Sequence, residues 1–173
     1  MSRAVAKRLT CIEPGTVFVG VDLSLVDSLA VVLDGRAKHL DRFKFPNDGD
    51  GYSYVHRRLA TVQERQEAPA VLVGMEPTNC FWRLLASDLE RCDVPYPMVS
   101  PCTVKKHREG DQLSRSKYDH RDSFPIGDLL RTGEFTETQL LYGKYAELCQ
   151  YVVLGDRLGP EPQCNRPDSL TVI

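Results

Sequence analysis

Two apolar segments of the sequence end in a carboxylate, and their residue types and spacing point to chemistry. The segment VFVGVD ends at Asp22 and the segment VLVGME ends at Glu76. Because side chains alternate along a strand, Gly20 shares a face with Asp22 and Gly74 shares one with Glu76, which predicts open space beside each acid. In open α/β sheets, ligands bind at the carboxyl ends of the strands. If these strands are neighbours, the two carboxylates converge and need a cation or a proton between them.

A third and a fourth acid extend this set. Asp119 and Asp122 are three residues apart and lie on one face if the chain there is helical. Oxygen ligands of this kind suit Mg²⁺ or Mn²⁺, and two such ions can stabilise the attacking and leaving oxygens of phosphodiester chemistry. The structural alternatives stay open, since a strand-ending acid can mark a loop or cap a helix, and D-x-x-D can be a solvated charged face.

A basic segment runs through the second pair of acids. Residues 105–121 contain six Lys or Arg and three acids, a charge of +3, whereas the whole chain has a net charge of −2. Any binding of a polyanion must therefore come from a local patch. We predict a basic loop or lid that contacts a nucleic-acid backbone, with a solubilising loop as the alternative. Its basic residues are Lys105, Lys106, Arg108, Arg115, Lys117 and Arg121.

Hydrophobic periodicity predicts the elements that position these residues. The pattern indicates an α/β domain in which a mixed sheet is flanked by helices. Strands are expected at 16–23, 26–34, 36–45, 70–76 and 96–99, the fourth of them central and parallel to a neighbour. Helices are expected after the turn and capping residues at 47–51, through about Gln66, then after Pro77, and over the periodic residues Leu141 to Val152. Trp82 is assigned to the core, and His56, Arg57, Arg58 and Asp88 to exposed helix faces.

The length and composition limit the class of protein. The 173 residues are 42% hydrophobic and 27% charged, which suits one globular domain. No apolar stretch is long enough to span a membrane, and the N-terminus lacks the core of a signal peptide. The six cysteines form no C-x-x-C motif, so reduced thiols are expected rather than a disulfide framework. We predict a cytoplasmic protein.

Five stretches, taken in order, carry a resemblance to a known family. They are GVDLS (20–24), GMEPTNCFWRLLASDLE (74–90), VSPCTVKKHREG (99–110), KYDHRD (117–122) and DLLRTGEFTE (128–137). Together they resemble the DEDD-type transposases of the insertion sequence 110 group, which includes the Piv-like DNA invertases. The resemblance implies a RuvC-like domain of the RNase H fold, DNA recombination and, in many members, guidance by a structured RNA. Carried over residue by residue, the metal-binding acids of the family fall on Asp22, Glu76, Asp119 and Asp122.

The sequence also departs from the family pattern. Ser123 and Pro125 replace a continuous helix after the second aspartate, so a helix is expected to start near Phe124. The long helix that joins the two domains of the family breaks down after Leu158, and the C-terminal domain with its serine nucleophile has no counterpart. We therefore predict a truncated copy, divided into an N-terminal extension, an RNase H-like domain, the start of an interdomain helix and an irregular tail (1–15, 16–135, 138–158 and 159–173).

The function predicted on these grounds is that of the N-terminal catalytic domain of a DNA transposase. One alternative is a free-standing nuclease of the Holliday-junction-resolving kind, and another is a remnant that binds nucleic acid without activity. The predicted partners are DNA, a structured guide RNA, and a second copy of this chain or a full-length transposase. The predicted cofactor is Mg²⁺ or Mn²⁺.

Overall fold

A computed structural model of the chain describes residues 3–77, 81–111 and 123–136. Asp119, Asp122, Arg115, Lys117 and Arg121 lie outside the described residues. The described elements are α1 (Arg3–Cys11), β1 (Val17–Asp22), β2 (Asp27–Leu33), β3 (His39–Pro46), α2 (Gly49–Gln66), β4 (Val71–Met75), α3 (Trp82–Arg91), α4 (Pro101–Asp111) and α5 (Phe124–Arg131).

The four strands form one mixed sheet with the order β3-β2-β1-β4. The first three strands are antiparallel neighbours, and β4 returns parallel to β1 after the crossover through α2. Gly20 of β1 is in register with Val31 of β2 on one side and with Gly74 of β4 on the other. Met98 adds single bridges to Met75 and Thr136 beyond β4. The carboxyl ends of β1 and β4 therefore lie at the same edge of the sheet.

Helices cover both faces of the sheet. On one face, strand residues pack with α4 and α5 in a buried cluster made of Phe18, Val31, Leu33, Val99, Val104, Ile126, Leu129, Leu130 and Phe135. On the other face, Phe43 of β3 contacts Tyr54 and Arg58 of α2. Because Phe43 is in register with Ala30, and Ala30 with Val21, this contact lies on the face opposite Gly20. The carboxylates and α2 are thus separated by the sheet.

Local sequence explains where the main helices begin. Asp48 caps α2, since its Oδ1 accepts a hydrogen bond from the Gly51 N–H at 2.9 Å. The buried residues of α2 recur at helical spacing, namely Tyr52, Val55, Leu59 and Val62. Pro125 lies in the first turn of α5, where its missing N–H has no intrahelical partner to lose. The expectation of a helix start near Phe124 is therefore confirmed.

Most of the predicted elements are confirmed, and five details are wrong. The four long strands and α2 lie where the periodicity places them. β4 is an outer strand of the described sheet rather than a central one. The segment 96–99 forms only the bridges of Met98, and residues 105–111 belong to α4 rather than to a loop. Nothing in the sequence analysis predicted α1, and Trp82 is only partly buried.

The fold class, a mixed sheet flanked by helices, is confirmed. The chain divides into the units Met1–Thr138 and Gln139–Ile173. The second unit lies outside the described residues, as do the whole of the predicted helix at 138–158 and the tail at 159–173. Among the residues that the structure describes, no helix is long and apolar enough to cross a membrane. Cys11, Cys92 and Cys102 are free thiols.

Candidate active site

Asp22 and Glu76 lie at the ends of two neighbouring parallel strands. The parallel register runs through Gly20 with Gly74 and Val21 with Met75, so the next residue of each strand is an acid. Adjacent strands are about 4.8 Å apart, and equivalent positions of parallel strands point to the same face. The structure therefore brings these two of the four predicted acids to one place, which is the face of the sheet that α5 covers.

The space beside Gly20 and Gly74 is filled, contrary to the prediction that these glycines leave it open. A Cβ at Gly20 would lie 2.1 Å from the Ser123 carbonyl oxygen and 2.5 Å from the Gly127 nitrogen. A Cβ at Gly74 would lie 2.6 Å from a methyl carbon of Leu130. The glycines serve packing, since they let α5 approach the backbone of β1 and β4. The N-terminus of α5 consequently lies next to the strand that ends in Asp22.

The two carboxylates differ in their exposure to water. Asp22 is exposed, whereas the Glu76 side chain is only 18% exposed. Burial raises the pKa of the Glu76 carboxyl above its usual value, the Arg108 guanidinium lowers it, and the charge of Asp22 raises it. The net effect is an increase, so the cationic neighbour does not compensate for burial and repulsion. Among the described residues, Arg108 thus offsets only part of the cost of ionising Glu76.

Arg108 of α4 is the cationic neighbour of this pair. Its Nη2 lies 4.0 Å from the Glu76 Oε1, and its side chain is 36% exposed. The Arg108 Nε is buried without a hydrogen-bond partner among the described residues. This residue was predicted to contact nucleic acid, and the structure places its guanidinium between the surface and the buried carboxylate.

A cluster of charged side chains holds α4 against α5. His107 Nε2 lies 2.9 Å from the Asp128 Oδ2, and Arg131 donates to the Asp128 Oδ1 from Nε at 2.8 Å and from Nη2 at 2.6 Å. All three side chains are less than 30% exposed. Because His107 precedes Arg108, this cluster fixes the part of α4 from which Arg108 reaches Glu76.

Sequence reasoning missed this cluster. The spacing of Asp128 and Arg131 is a usual helical ion pair and could have been recognised. No local signal connects His107 with Asp128, because they are 21 residues apart and belong to different helices.

The other predicted nucleic-acid contacts that the structure describes lie on the exposed part of α4. Lys105 and Lys106 are exposed, and Lys105 has only a loose ion pair with Glu109 at 4.0 Å. Exposed pairs of this type contribute little to stability, so the lysines are available to an anionic ligand.

The donor set fits a hard divalent cation. Carboxylate oxygens are the ligands that such ions prefer, and Glu76 bears a burial and repulsion cost that a bound cation would offset. Arg108 offsets part of that cost, but from 4.0 Å. Asp22 and Glu76 would hold the ion, together with Asp119 and Asp122, which the family resemblance adds.

A mixed sheet of this order, flanked by helices and with carboxylates at the ends of its first and fourth strands, defines the molecule as an α/β domain. The model of the transposase family of the DEDD type, insertion sequence 110 group, matches residues 19–158. The chain belongs to this transposase family. Membership has two coarse functional consequences, which are the use of divalent metal ions and DNA as the substrate.

Solved structures provide a further comparison. Two structures of RuvC from Thermus thermophilus were compared with this chain: the complex with a Holliday junction substrate is 14% identical to it, and the other structure is 15% identical. The complex covers 71% of this chain and 99% of its own, with a TM-score of 0.44, and the other covers 70% and 99%, with a TM-score of 0.45. No curated protein matches the chain in sequence. The fold assignment rests on the sheet order and the family match.

Proposed function

We propose that this chain is the N-terminal catalytic domain of a DNA transposase, in which Asp22 and Glu76 bind Mg²⁺ or Mn²⁺. The observation that supports this most directly is the parallel pairing of β1 with β4, which brings two carboxylates to one sheet edge. A bound ion of this class would stabilise the charge that develops on the oxygens of a phosphodiester during cleavage. The chain itself contributes the two carboxylates and the partly buried Arg108 beside them.

Asp119 and Asp122 complete the site in this proposal. Their assignment rests on the resemblance of KYDHRD to the family motif. It is supported by the chain position of Asp122, which directly precedes Ser123, the residue whose carbonyl lies against Gly20. Gly20 is two residues before Asp22 on the same face of β1.

Incision of DNA tests the catalytic part of the proposal. Full-length chain is incubated with branched and linear DNA in Mg²⁺ or Mn²⁺, and nicked products are measured. We expect incision, and we expect Asp22→Asn to lower its rate by at least about 100-fold, the scale of losing one group that stabilises developing charge. Glu64→Gln, an exposed acid on α2, is the matched control.

The DNA that is incised distinguishes the transposase domain from the two alternative functions. Incision of branched DNA alone favours the junction-resolving nuclease, and binding without incision favours the inactive remnant. Incision that survives in Asp22→Asn contradicts the metal site.

The exposed lysines of α4 are proposed to contact the DNA backbone. The logarithm of the DNA-binding constant falls linearly with the logarithm of the salt concentration. Removing two phosphate contacts makes this slope shallower by up to about 2 for duplex DNA. We therefore expect Lys105→Gln/Lys106→Gln to bind DNA more weakly and with a shallower salt slope. The control is Arg57→Gln/Arg65→Gln, which removes two exposed charges from α2 on the other side of the sheet. Equal losses in the two variants would mean that net charge, and not this surface, drives binding.

The remaining functional predictions are carried as proposals. They are dependence on a guide RNA, association with a second copy or with full-length transposase, and a cytoplasmic location.

A further inference from the structure

A second group of metal-ligand side chains lies between α2 and α3, on the face of the sheet opposite the carboxylates. It consists of His56 from α2, Asp88 from α3 and Cys92, the C-cap of α3. Their ligand atoms, an imidazole nitrogen, a carboxylate oxygen and the Sγ, all lie within 4.8 Å of one another. The sequence analysis assigned His56 and Asp88 to exposed faces. The structure contradicts this, because both take part in an interhelical contact and Asp88 is buried.

The geometry of the group is set by two helices. Asp88 and Cys92 are four residues apart, so they project from one side of α3. His56 reaches them from α2, and its Nε2 lies 2.7 Å from the Asp88 Oδ2. The Asp88 side chain is 10% exposed and the His56 side chain 28% exposed, while Cys92 lies at the surface. The three donors therefore extend from the surface at Cys92 to the buried carboxylate of Asp88.

A second contact, at the carboxylate oxygen that does not face His56, orients the Asp88 side chain. Arg91 donates from Nη2 to the Asp88 Oδ1, which leaves the Oδ2 directed at His56. Carboxylates that bind metals are commonly oriented by a hydrogen bond of this kind on the oxygen that does not bind. An ion could enter between the Oδ2, the Nε2 and the Sγ without breaking the Arg91 contact.

The donor types select the kind of ion. Mg²⁺ and Mn²⁺ prefer sets of oxygen ligands, as at Asp22 and Glu76, whereas a mixed nitrogen, oxygen and sulfur set suits Zn²⁺. Zn²⁺ bonds of about 2.0–2.3 Å place neighbouring ligand atoms of a tetrahedron roughly 3–4 Å apart, so small side-chain rotations suffice. Three protein ligands leave the fourth position open to water or a further ligand.

We infer that His56, Asp88 and Cys92 form a binding site for a Zn²⁺-class transition-metal ion, separate from the carboxylate site. Binding replaces the His56–Asp88 hydrogen bond with two bonds to the ion. The Nε2 lone pair of His56 is freed when its ring proton moves to Nδ1, or when an imidazolium loses one proton to water, and the Cys92 thiol also loses its proton to water. The ion would then join α2 to α3, two helices that the free chain connects at this point through the Asp88 carboxylate.

Cobalt substitution tests this inference directly. Tag-free, full-length chain is titrated with Co²⁺, which reports thiolate ligation by charge-transfer absorption, and Zn²⁺ is then added. We expect the thiolate band to saturate at one thiolate-bound Co²⁺ per chain, and we expect Zn²⁺ to abolish it. Cys92→Ser should lose the band, while Cys11→Ser, which removes another exposed thiol, should keep it. Arg91→Gln should weaken Co²⁺ binding by about 10-fold, the usual effect of losing a hydrogen bond to a ligand.

Two further measurements separate this site from the carboxylate site. Asp22→Asn should leave the cobalt band unchanged, and Zn²⁺ should raise the Tm of the wild type but not that of His56→Gln. The inference is overturned if wild-type chain shows no thiolate band. It is equally overturned if the band persists in Cys92→Ser, since another cysteine would then be the ligand.

Discussion

Glu76→Gln is expected to have opposite effects on stability with and without a divalent metal. In the wild type, an ion at Asp22 and Glu76 stabilises the folded chain by mass action, by about 2.7 kcal/mol at 100 times its Kd. For a chain of this length that corresponds to a rise in Tm of roughly 5–10 °C. Glu76→Gln and Asp22→Asn should abolish most of this rise, and Glu64→Gln should retain it.

Without metal, the same variant should gain stability relative to the wild type as the pH increases. Because the pKa of Glu76 is raised in the folded state, the folded chain binds more protons than the unfolded chain between the two pKa values. Wild-type stability therefore decreases as the pH rises through that interval, and the penalty is fully present above the raised pKa. The glutamine side chain of the variant would carry no charge and would escape the penalty.

Chemical denaturation at several pH values, with EDTA or with Mg²⁺, measures both effects. In EDTA, the free energy of unfolding of Glu76→Gln should increase relative to that of the wild type as the pH rises. This increase should begin below the pKa that Glu76 has in the unfolded chain and continue up to neutral pH. In Mg²⁺ at neutral pH, the wild type should instead be more stable than Glu76→Gln. A metal-induced rise in Tm that is equal in the wild type and both variants would show that the ion binds elsewhere.

Gly20→Ala is expected to be strongly destabilising, although it adds a single methyl group. The new Cβ would meet the Ser123 carbonyl oxygen at 2.1 Å and the Gly127 nitrogen at 2.5 Å. Both are backbone atoms, so relief requires α5 to move away from β1. We expect a loss of at least about 3 kcal/mol, the upper part of the range for overpacked sites, and a fall in Tm of roughly 6–12 °C.

Two matched glycines make this prediction specific. Gly35→Ala places its Cβ where no atom lies within 4 Å, and we expect a change of less than about 1 kcal/mol, towards greater stability. Gly74→Ala meets only the side chain of Leu130, which can rotate, so its effect should be intermediate. Equilibrium denaturation of the three variants gives the ranking. If Gly20→Ala and Gly35→Ala unfold alike, α5 does not pack against the backbone of β1.

The elements of the domain could be predicted from the sequence because their signals are local. The apolar runs of β1 and β2, the helical spacing in α2 and the capping residue Asp48 are all signals between residues close together in the chain. Asp22 and Glu76 could be found for the same reason, since each ends an apolar segment. Where local signals were weak, as in the charged helix α4, the prediction of a loop was wrong.

The interpretation of the glycines shows the limit of local reasoning. Gly20 and Gly74 were correctly placed on the face of the two acids, but the sequence does not state what covers that face. The structure shows that α5 does, and the open space predicted there is absent. Whether a glycine provides room for a ligand or for a helix depends on which element packs against it.

The sequence by itself determined the strands, the helices with strong periodicity, the two acids at strand ends and the family to which the chain belongs. Only the tertiary structure decided which charged groups meet. His56 with Asp88, His107 with Asp128 and Arg108 with Glu76 are each joined across different elements. Periodicity specifies the face on which a side chain lies, because it follows from the geometry of one helix or strand. The partner on that face depends on the packing of elements far apart in the chain, and packing also sets the burial that shifts the pKa of Glu76.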